Sequence, residues 1–342
     1  MPSSSNLVSI HADQNIVSYS LTDGSIMRQL IGYNDEVVDA TFLSYRKTLN
    51  SPLQRDSHIA LATNSSLIRV YSSQALDSRL LDGHSEIVLA LDHSEDGSIL
   101  VSGSKDKNAR IWAPVIAEAE TSHSWGFACI ALCEGHTGSV GAIVMAREGD
   151  HLKFMFTGSE DRTIKMWDLL GVSSNSSSTT IHRCKTLTTQ KAHEKDINSL
   201  DISPNDRFLA SGSQDRTAKL FEIQYIVGAG RTPRGEFKHI GTFVGHKRGV
   251  WTVRFGRAER VLATGSGDKT VKLWSLDDYS CLKTFEGHTN SVLRVDFLNA
   301  GMQLVSTASD GLVKVWNIRE EECITTLDNH EDKVGFRKTF SR

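Results

Sequence analysis

The stretch Gly245-His-Lys-Arg-Gly-Val-Trp-Thr-Val-Arg-Phe255, with Arg260-Val-Leu-Ala-Thr-Gly-Ser-Gly-Asp-Lys-Thr-Val-Lys-Leu-Trp274 after it, decides how this chain folds. Val250, Thr252 and Arg254 fall on one side and Trp251, Val253 and Phe255 on the other, a period of two that belongs to a strand. Two more short runs, Arg260 to Thr264 and Val271 to Trp274, flank Gly-Ser-Gly-Asp, which supplies the residues a tight hairpin requires. No helical period competes.

The same marks recur along the chain. A Gly-His pair stands at Gly83-His84, Gly135-His136, Gly245-His246 and Gly287-His288, with Ala192-His193 and Asn329-His330 as variants. After each of the first five comes Ser or Thr, then Asp four residues on, then Trp or Phe six further: Ser102, Asp106, Trp112; Thr157, Asp161, Trp167; Ser211, Asp215, Phe221; Thr264, Asp268, Trp274; and Ser306, Asp310, Trp316. A degenerate copy precedes them, with Gly32-Tyr33 for Gly-His, Ser65 for the aspartate and Tyr71 for the tryptophan. Four short strands in each repeat of about 40 to 45 residues resemble the WD40 unit, and predict an all-β propeller.

Residue chemistry explains the marks. The turn Asp accepts from the His ring, the His meets the Ser/Thr hydroxyl, and that hydroxyl meets the indole N–H, so buried polar groups are satisfied together. Phe221 withholds the last donor, which predicts a less tightly fastened blade. On paper each set resembles a hydrolase triad, yet it recurs five times where an enzyme needs one site. No Gly-x-Ser-x-Gly elbow, phosphate-cradling loop or His-Glu-x-x-His motif is present, so neither a catalytic site, a metal site nor a cofactor site is expected.

The two ends supply partial repeats. Leu7 to Tyr19 contains a turn Asp, Asp13, and an aromatic six residues later, which fits the later strands of a blade; Asn329-His-Glu-Asp-Lys-Val334 fits the start of one. Six repeats and two halves predict seven blades closed by N- and C-terminal half-blades, a closure that leaves no sheet edge unpaired. Residues 1–334 are read as a single propeller. Residues 335–342, with Gly335 and the basic Arg337 and Lys338 where apolar alternation is expected, are read as a non-propeller tail.

Insertions at Tyr45–Ser57, Pro114–Ser124, Gly171–Thr180 and Tyr225–Glu236 should project from the face opposite the Gly-His and Asp turns. Gly171–Thr180 is low-complexity and reads as a mobile spacer. Arg231, Arg234, Lys238, Lys247 and Arg248 form the best basic cluster and are the candidate partner contacts, against the plainer reading of a solvated charged loop. Around the Gly-His face the charges are of mixed sign, and no single peptide pocket is legible.

Bulk composition excludes other classes. With 38 basic and 41 acidic residues the formal net charge is -3, which gives no footprint for broad binding to nucleic acid or to an anionic membrane. The five cysteines are scattered, without paired metal-ligand spacing, and read as reduced thiols of an intracellular protein. The start lacks a signal peptide, and no apolar run approaches the roughly 18 residues of a membrane span, so a soluble, non-secreted protein is expected.

The wording of individual repeats narrows the family. His193-Glu-Lys-Asp-Ile-Asn-Ser-Leu200, Gly212-Ser-Gln-Asp-Arg-Thr-Ala-Lys219, Cys281-Leu-Lys-Thr-Phe-Glu-Gly-His288, Ser309-Asp-Gly-Leu-Val-Lys-Val-Trp316 and His330-Glu-Asp-Lys-Val334 resemble the second propeller of the transducin-beta-like tandem WD40 proteins of the UTP-B subcomplex of the small-subunit processome. The resemblance implies a nucleolar, non-enzymatic scaffold in ribosome biogenesis and ribosomal RNA processing. Its partners would be other processome subunits of the UTP-B type, with pre-ribosomal RNA and a small nucleolar RNP reached indirectly, and neither membrane nor small-molecule substrate. Such proteins carry a propeller before this one and a helical domain after it, so the resemblance also implies a truncated form. Val315-Trp-Asn-Ile-Arg319 is similar to the Trp-Asp-x-Arg box of substrate receptors for cullin-type ubiquitin ligases, the alternative reading.

Overall fold

The computed structural model describes residues 6–11, 16–20, 25–30, 36–46, 52–72, 77–115, 125–149, 152–172, 181–228, 232–257, 260–298, 301–328 and 334–339. Among them, six consecutive blades run from Val37 to Leu327, each built on antiparallel strands, with one parallel pairing where His182–Arg183 joins the second. Their inner strands are Val37–Tyr45, Val88–His93, Val140–Met145, Ile197–Ile202, Val250–Phe255 and Val292–Leu298. Each begins with a β-branched residue, which suits a pleated strand, and each lies against the inner strand of the next blade. This is an all-β propeller of WD40 type.

Packing between blades rests on one repeated close approach. The second strands are buried on both faces, as in Phe154–Ser159 and Val261–Ser266. There a glycine meets the branched residue that opens the next inner strand: a Cβ placed on Gly158 would lie 2.7 Å from the Ile197 Cγ2, and one on Gly265 would lie 2.7 Å from the Val292 Cγ1. Larger residues would force the sheets apart.

Polar stitches cross the same seams. Asp39 accepts the Leu91 N–H at 2.9 Å, Asp92 the Met145 N–H at 2.9 Å, and Asp201 the Phe255 N–H at 2.8 Å. Each carboxylate also holds a guanidinium: Arg147 is 3.1 Å from Asp92, Arg254 3.1 Å from Asp201, and Arg294 3.1 Å from Asp39. The buried charges are thereby paired and hydrogen-bonded together. The Arg294 pair joins the sixth blade to the first.

A further sheet uses both ends of the chain, in the order Val334–Thr339, Asn6–His11, Ile16–Ser20, Ile26–Leu30. Leu7 pairs with Thr339 and His11 with Val334, with a shift in register between Leu7 and Ser9. This corrects the expectation of a non-propeller tail beginning at residue 335. Backbone pairing to Asn6–His11 supplies the hydrogen bonds, and a strand needs these more than it needs apolar alternation. Val334–Thr339 lies against both Val37–Tyr45 and Val292–Leu298. Asp13, the expected turn residue of this sheet, lies outside the described residues.

Candidate functional site

In each of the five full repeats the turn at the Asp is built by local chemistry. Asp106 accepts the Asn108 N–H at 3.0 Å and Ser104 Oγ accepts the Asp106 N–H at 3.1 Å, with Lys107 in the left-handed region at φ 71°. Such a turn aims the second carboxylate oxygen inward. There His84 Nδ1 meets Asp106 at 2.8 Å, His84 Nε2 meets Ser102 Oγ at 2.8 Å, and Trp112 Nε1 donates to Ser102 Oγ at 2.9 Å. The next set joins His136, Asp161, Thr157 and Trp167 at 2.7–2.8 Å. His246, Asp268, Thr264 and Trp274 do the same at 2.7–2.8 Å. His288, Asp310, Ser306 and Trp316 follow at 2.7–3.0 Å.

In the fourth blade His193 reaches Asp215 at 2.8 Å and Ser211 at 2.7 Å, while the buried Phe221 offers no donor and packs edge-on against Phe237. In the degenerate first blade Ser65 Oγ accepts the Leu67 N–H at 3.2 Å, and Tyr71 is buried. Gly32 and Tyr33 lie outside the described residues.

Electrostatics agree with a fastening role. Burial pushes Asp161 upward, but donation from the Thr163 hydroxyl, the Thr137 N–H and the His136 ring outweighs it and holds the carboxyl down at about 2. Asp106, Asp215, Asp268 and Asp310 are held below the usual carboxylate range by the same kinds of donor. Burial lowers His136 and His288, which favours the neutral ring. A neutral ring with its proton on Nδ1 donates to the carboxylate and accepts the hydroxyl proton at Nε2, leaving Oγ free to accept from the indole. The hydroxyls of Ser102, Thr157, Ser211, Thr264 and Ser306 are fully buried. No substrate reaches them, so the sets bind strands together and present no nucleophile.

The described ends of the expected insertions lie at the blade ends opposite the Gly-His and Asp turns. Tyr225–Glu236 is largely a continuation of its hairpin, with Tyr225 facing Gly235 and Val227 facing Pro233. At Pro114–Ser124 the described ends dock on the first blade. Tyr45 Oη donates to the Val115 carbonyl at 2.9 Å, and Trp125 stacks on His58 with ring centroids 4.6 Å apart, under Arg79 at 5.4 Å, while its Nε1 donates to Asp77. Burial drives His58 down to about 4, against the pull of Asp77. After Gly171–Thr180, whose residues 173–180 lie outside the described ones, His182–Arg183 crosses back and pairs in parallel with Ala131 and Leu132 of the second blade. Cys184 follows beside Cys133; all five cysteines are free.

The expected basic cluster does not assemble, which corrects the sequence reading. Arg234 and Lys238 are exposed on the long strand Pro233–Val244, whereas Lys247 and Arg248 follow its far end. At about 3.3 Å per strand residue the two ends of that strand lie roughly 36 Å apart. Arg231 lies outside the described residues. Lys247 instead lines a hollow with Lys269 and Lys272 between the fifth and sixth blades. In the box-like segment Val315–Arg319, Asn317 Oδ1 accepts the Arg319 N–H at 2.9 Å.

Sequence reasoning missed the charged lining of the central cavity. A space of about 300 Å³ at one end of the inner strands is bounded by Asp92, Arg147, Asp201, Arg254 and Asp296. The available signal was an acid at the fifth residue of three inner strands, Asp92, Asp201 and Asp296. Among the described residues no group of three or more His, Cys, Asp or Glu is placed to hold a metal ion.

Comparison with known proteins follows the same repeats. Residues 77–113, 127–168, 184–222, 237–275 and 279–317 match the family model described as WD domain, G-beta repeat. The chain is 43% identical over 252 residues to Transducin beta-like protein 3 of Mus musculus, covering 73% of this chain and 28% of that protein. It is 41% identical over 246 residues to the Homo sapiens protein of the same name, covering 71% and 27%. To U3 small nucleolar RNA-associated protein 13 of Saccharomyces cerevisiae it is 37% identical over 206 residues, covering 57% and 23%. The chain thus spans about a quarter of the length of these relatives.

Proposed function

Because the chain belongs to the WD domain, G-beta repeat family, we propose that it is a non-catalytic protein-protein interaction scaffold in small-subunit ribosome biogenesis and ribosomal RNA processing. The observation that carries this reading is the similarity to two groups of relatives, one of which bears association with U3 small nucleolar RNA in its name. Burial of all five Ser/Thr hydroxyls supports a holding role over catalysis. The working form is a closed ring of seven blades, a reading supported by the pairing of Val334–Thr339 with Asn6–His11 between the first and sixth blades. The wording of its repeats supports correspondence to the second propeller of its relatives.

Partners are other processome subunits of the UTP-B type, met in the nucleolus. Pre-ribosomal RNA and the small nucleolar RNP are reached through those subunits, since the net charge is -3. Arg234 and Lys238 on the outer strand of the fourth blade, and Lys247 and Arg248 at the fifth-blade turn, serve as separate contacts. Affinity purification of the tagged chain from growing cells should recover processome subunits together with pre-ribosomal RNA. Recovery of neither overturns the reading, and recovery of a cullin-ligase adaptor in their place would favour the ubiquitin-ligase alternative.

A further inference from the structure

The hairpin of the fourth blade outruns the rest of its sheet. Its strand Thr217–Val227 pairs with Phe208–Ser213 only as far as Glu222, and Ile223 then donates its N–H to the Arg207 carbonyl at 2.8 Å. Beyond that point the neighbouring chain turns away through Asp206, whose carboxylate accepts the Arg147 and Glu148 N–H groups of the third blade. Alternate residues of a strand turn their backbone groups the same way. Tyr225 and Val227 therefore each direct an N–H and a C=O toward the side that Phe208–Ser213 has left, and among the described residues no backbone group meets them there.

The two edges of this hairpin differ. On the outer strand Pro233, Arg234, Glu236 and Lys238 supply the proline and charges that discourage pairing, and the Gly235 carbonyl accepts from the Thr188 hydroxyl of the third blade. The inner edge, Tyr225-Ile226-Val227-Gly228, carries no charge, and Ile226 is 66% and Val227 45% exposed. It is also held in place. Tyr225 Oη donates to the Lys153 carbonyl at 3.2 Å and its ring lies 4.9 Å from that of Phe154, so little ordering remains to be done on binding.

That edge borders a groove of about 940 Å³ on the face opposite the Gly-His turns, lined on the third-blade side by Leu152, Phe154, Leu170 and Val172 and on the hairpin side by Tyr225 and Val227. A strand laid along the edge would set every second side chain among these apolar groups.

We propose that the edge at residues 225–227 takes up an extended segment of a partner protein as an added strand, with alternate apolar side chains of that segment seated in the groove. Only a polypeptide backbone returns both donors and acceptors at this spacing; a phosphodiester backbone brings acceptors alone. The same hairpin of a second copy fits less well, because its own edge is recessed beside the turn at Asp206 and Arg207. The proposal deepens the scaffold reading and rests on it for the partner being a protein.

The test pans a phage-displayed library of random 12-residue peptides on the full chain and measures selected peptides, fluorescently labelled, by anisotropy. Enriched peptides should carry apolar, β-branched residues at alternate positions. N-methylation of a selected peptide, one residue at a time, should weaken binding about tenfold at every second position and little between, since only alternate N–H groups face the edge. Val227→Pro removes an edge donor that no internal bond uses and should weaken the same peptides about tenfold. Leu170→Asp, at a partly exposed site on the opposite wall, leaves the hairpin untouched and should weaken them as much. Sedimentation of the parent chain should show a monomer. The proposal is overturned if nothing enriches, if N-methylation acts without alternation, if both variants bind the selected peptides as the parent does, or if the parent is a dimer that Val227→Pro dissociates, which would give the edge to a second copy. None of these outcomes involves a processome component, so this site and the scaffold reading can fail independently.

Discussion

Replacing Ser102 and Ser211 by alanine, one at a time, measures what the buried networks contribute. Both hydroxyls are fully buried and both occupy the same place in their blades. Ser102 Oγ accepts from Trp112 Nε1 at 2.9 Å and meets His84 Nε2 at 2.8 Å, so Ser102→Ala strands two buried polar groups. Ser211 meets His193 Nε2 at 2.7 Å, and Phe221 brings no second donor, so Ser211→Ala strands one. With each stranded group costing about 1–3 kcal/mol, the expected losses are about 3 kcal/mol for Ser102→Ala and about half that for Ser211→Ala. Serine and alanine differ little in volume, so the cavity contribution is small and nearly common to both. Urea denaturation of the full chain at unchanged slope gives the two losses. Hydrogen exchange at the Ser85 amide, which donates to Asp106 at 3.2 Å, reports whether the second blade's turn loosens. Equal losses for the two variants would refute the idea that hydroxyl and indole act as one network.

Further outcomes follow from the seams. Gly158→Ala should destabilise by about 1–3 kcal/mol, because its Cβ would lie 2.7 Å from the Ile197 Cγ2, and thermal unfolding reads it. Arg147→Met leaves Asp92 buried without its guanidinium and should cost about 3–5 kcal/mol; adding Asp92→Asn should recover part of it in a double-mutant cycle. His58, depressed to about 4, contributes stability that is complete above its ordinary pKa near 6.5 and is lost as pH falls toward 4. His58→Phe should therefore reduce the slope of urea midpoint against pH in that window. A second loss belongs to Asp161, whose contribution is present above about 3.8 and disappears as pH falls through about 2.

How much was legible in the sequence follows from distance along the chain. Each network joins residues within one repeat, such as Ser102, Asp106 and Trp112, so fixed spacing announces it and residue chemistry explains it. Strand alternation and turn residues are equally local, and with them came the repeated blade and the place of its histidines in a buried network. Features between blades left no such trace. Asp92 bonds the backbone of Met145 and Asp201 that of Phe255, partners 53 and 54 residues apart, and nothing near either acid names its partner. The tail illustrates the same limit: Gly335 and Arg337 argue against a strand by composition, yet pairing with Asn6–His11 supplies the hydrogen bonds that make one.

By itself, then, the sequence determined the unit and its fastening, because a period of two and a buried hydrogen-bond chain are short-range matters. Only the tertiary structure decided that Arg234 stands on the fourth blade while Lys247 sits at the fifth-blade turn, and that Trp125 anchors an insertion on its neighbour. Those depend on which inner strands face one another. Arranging the blades around a common cavity, with burial of their branched residues and glycines at each seam, makes that choice.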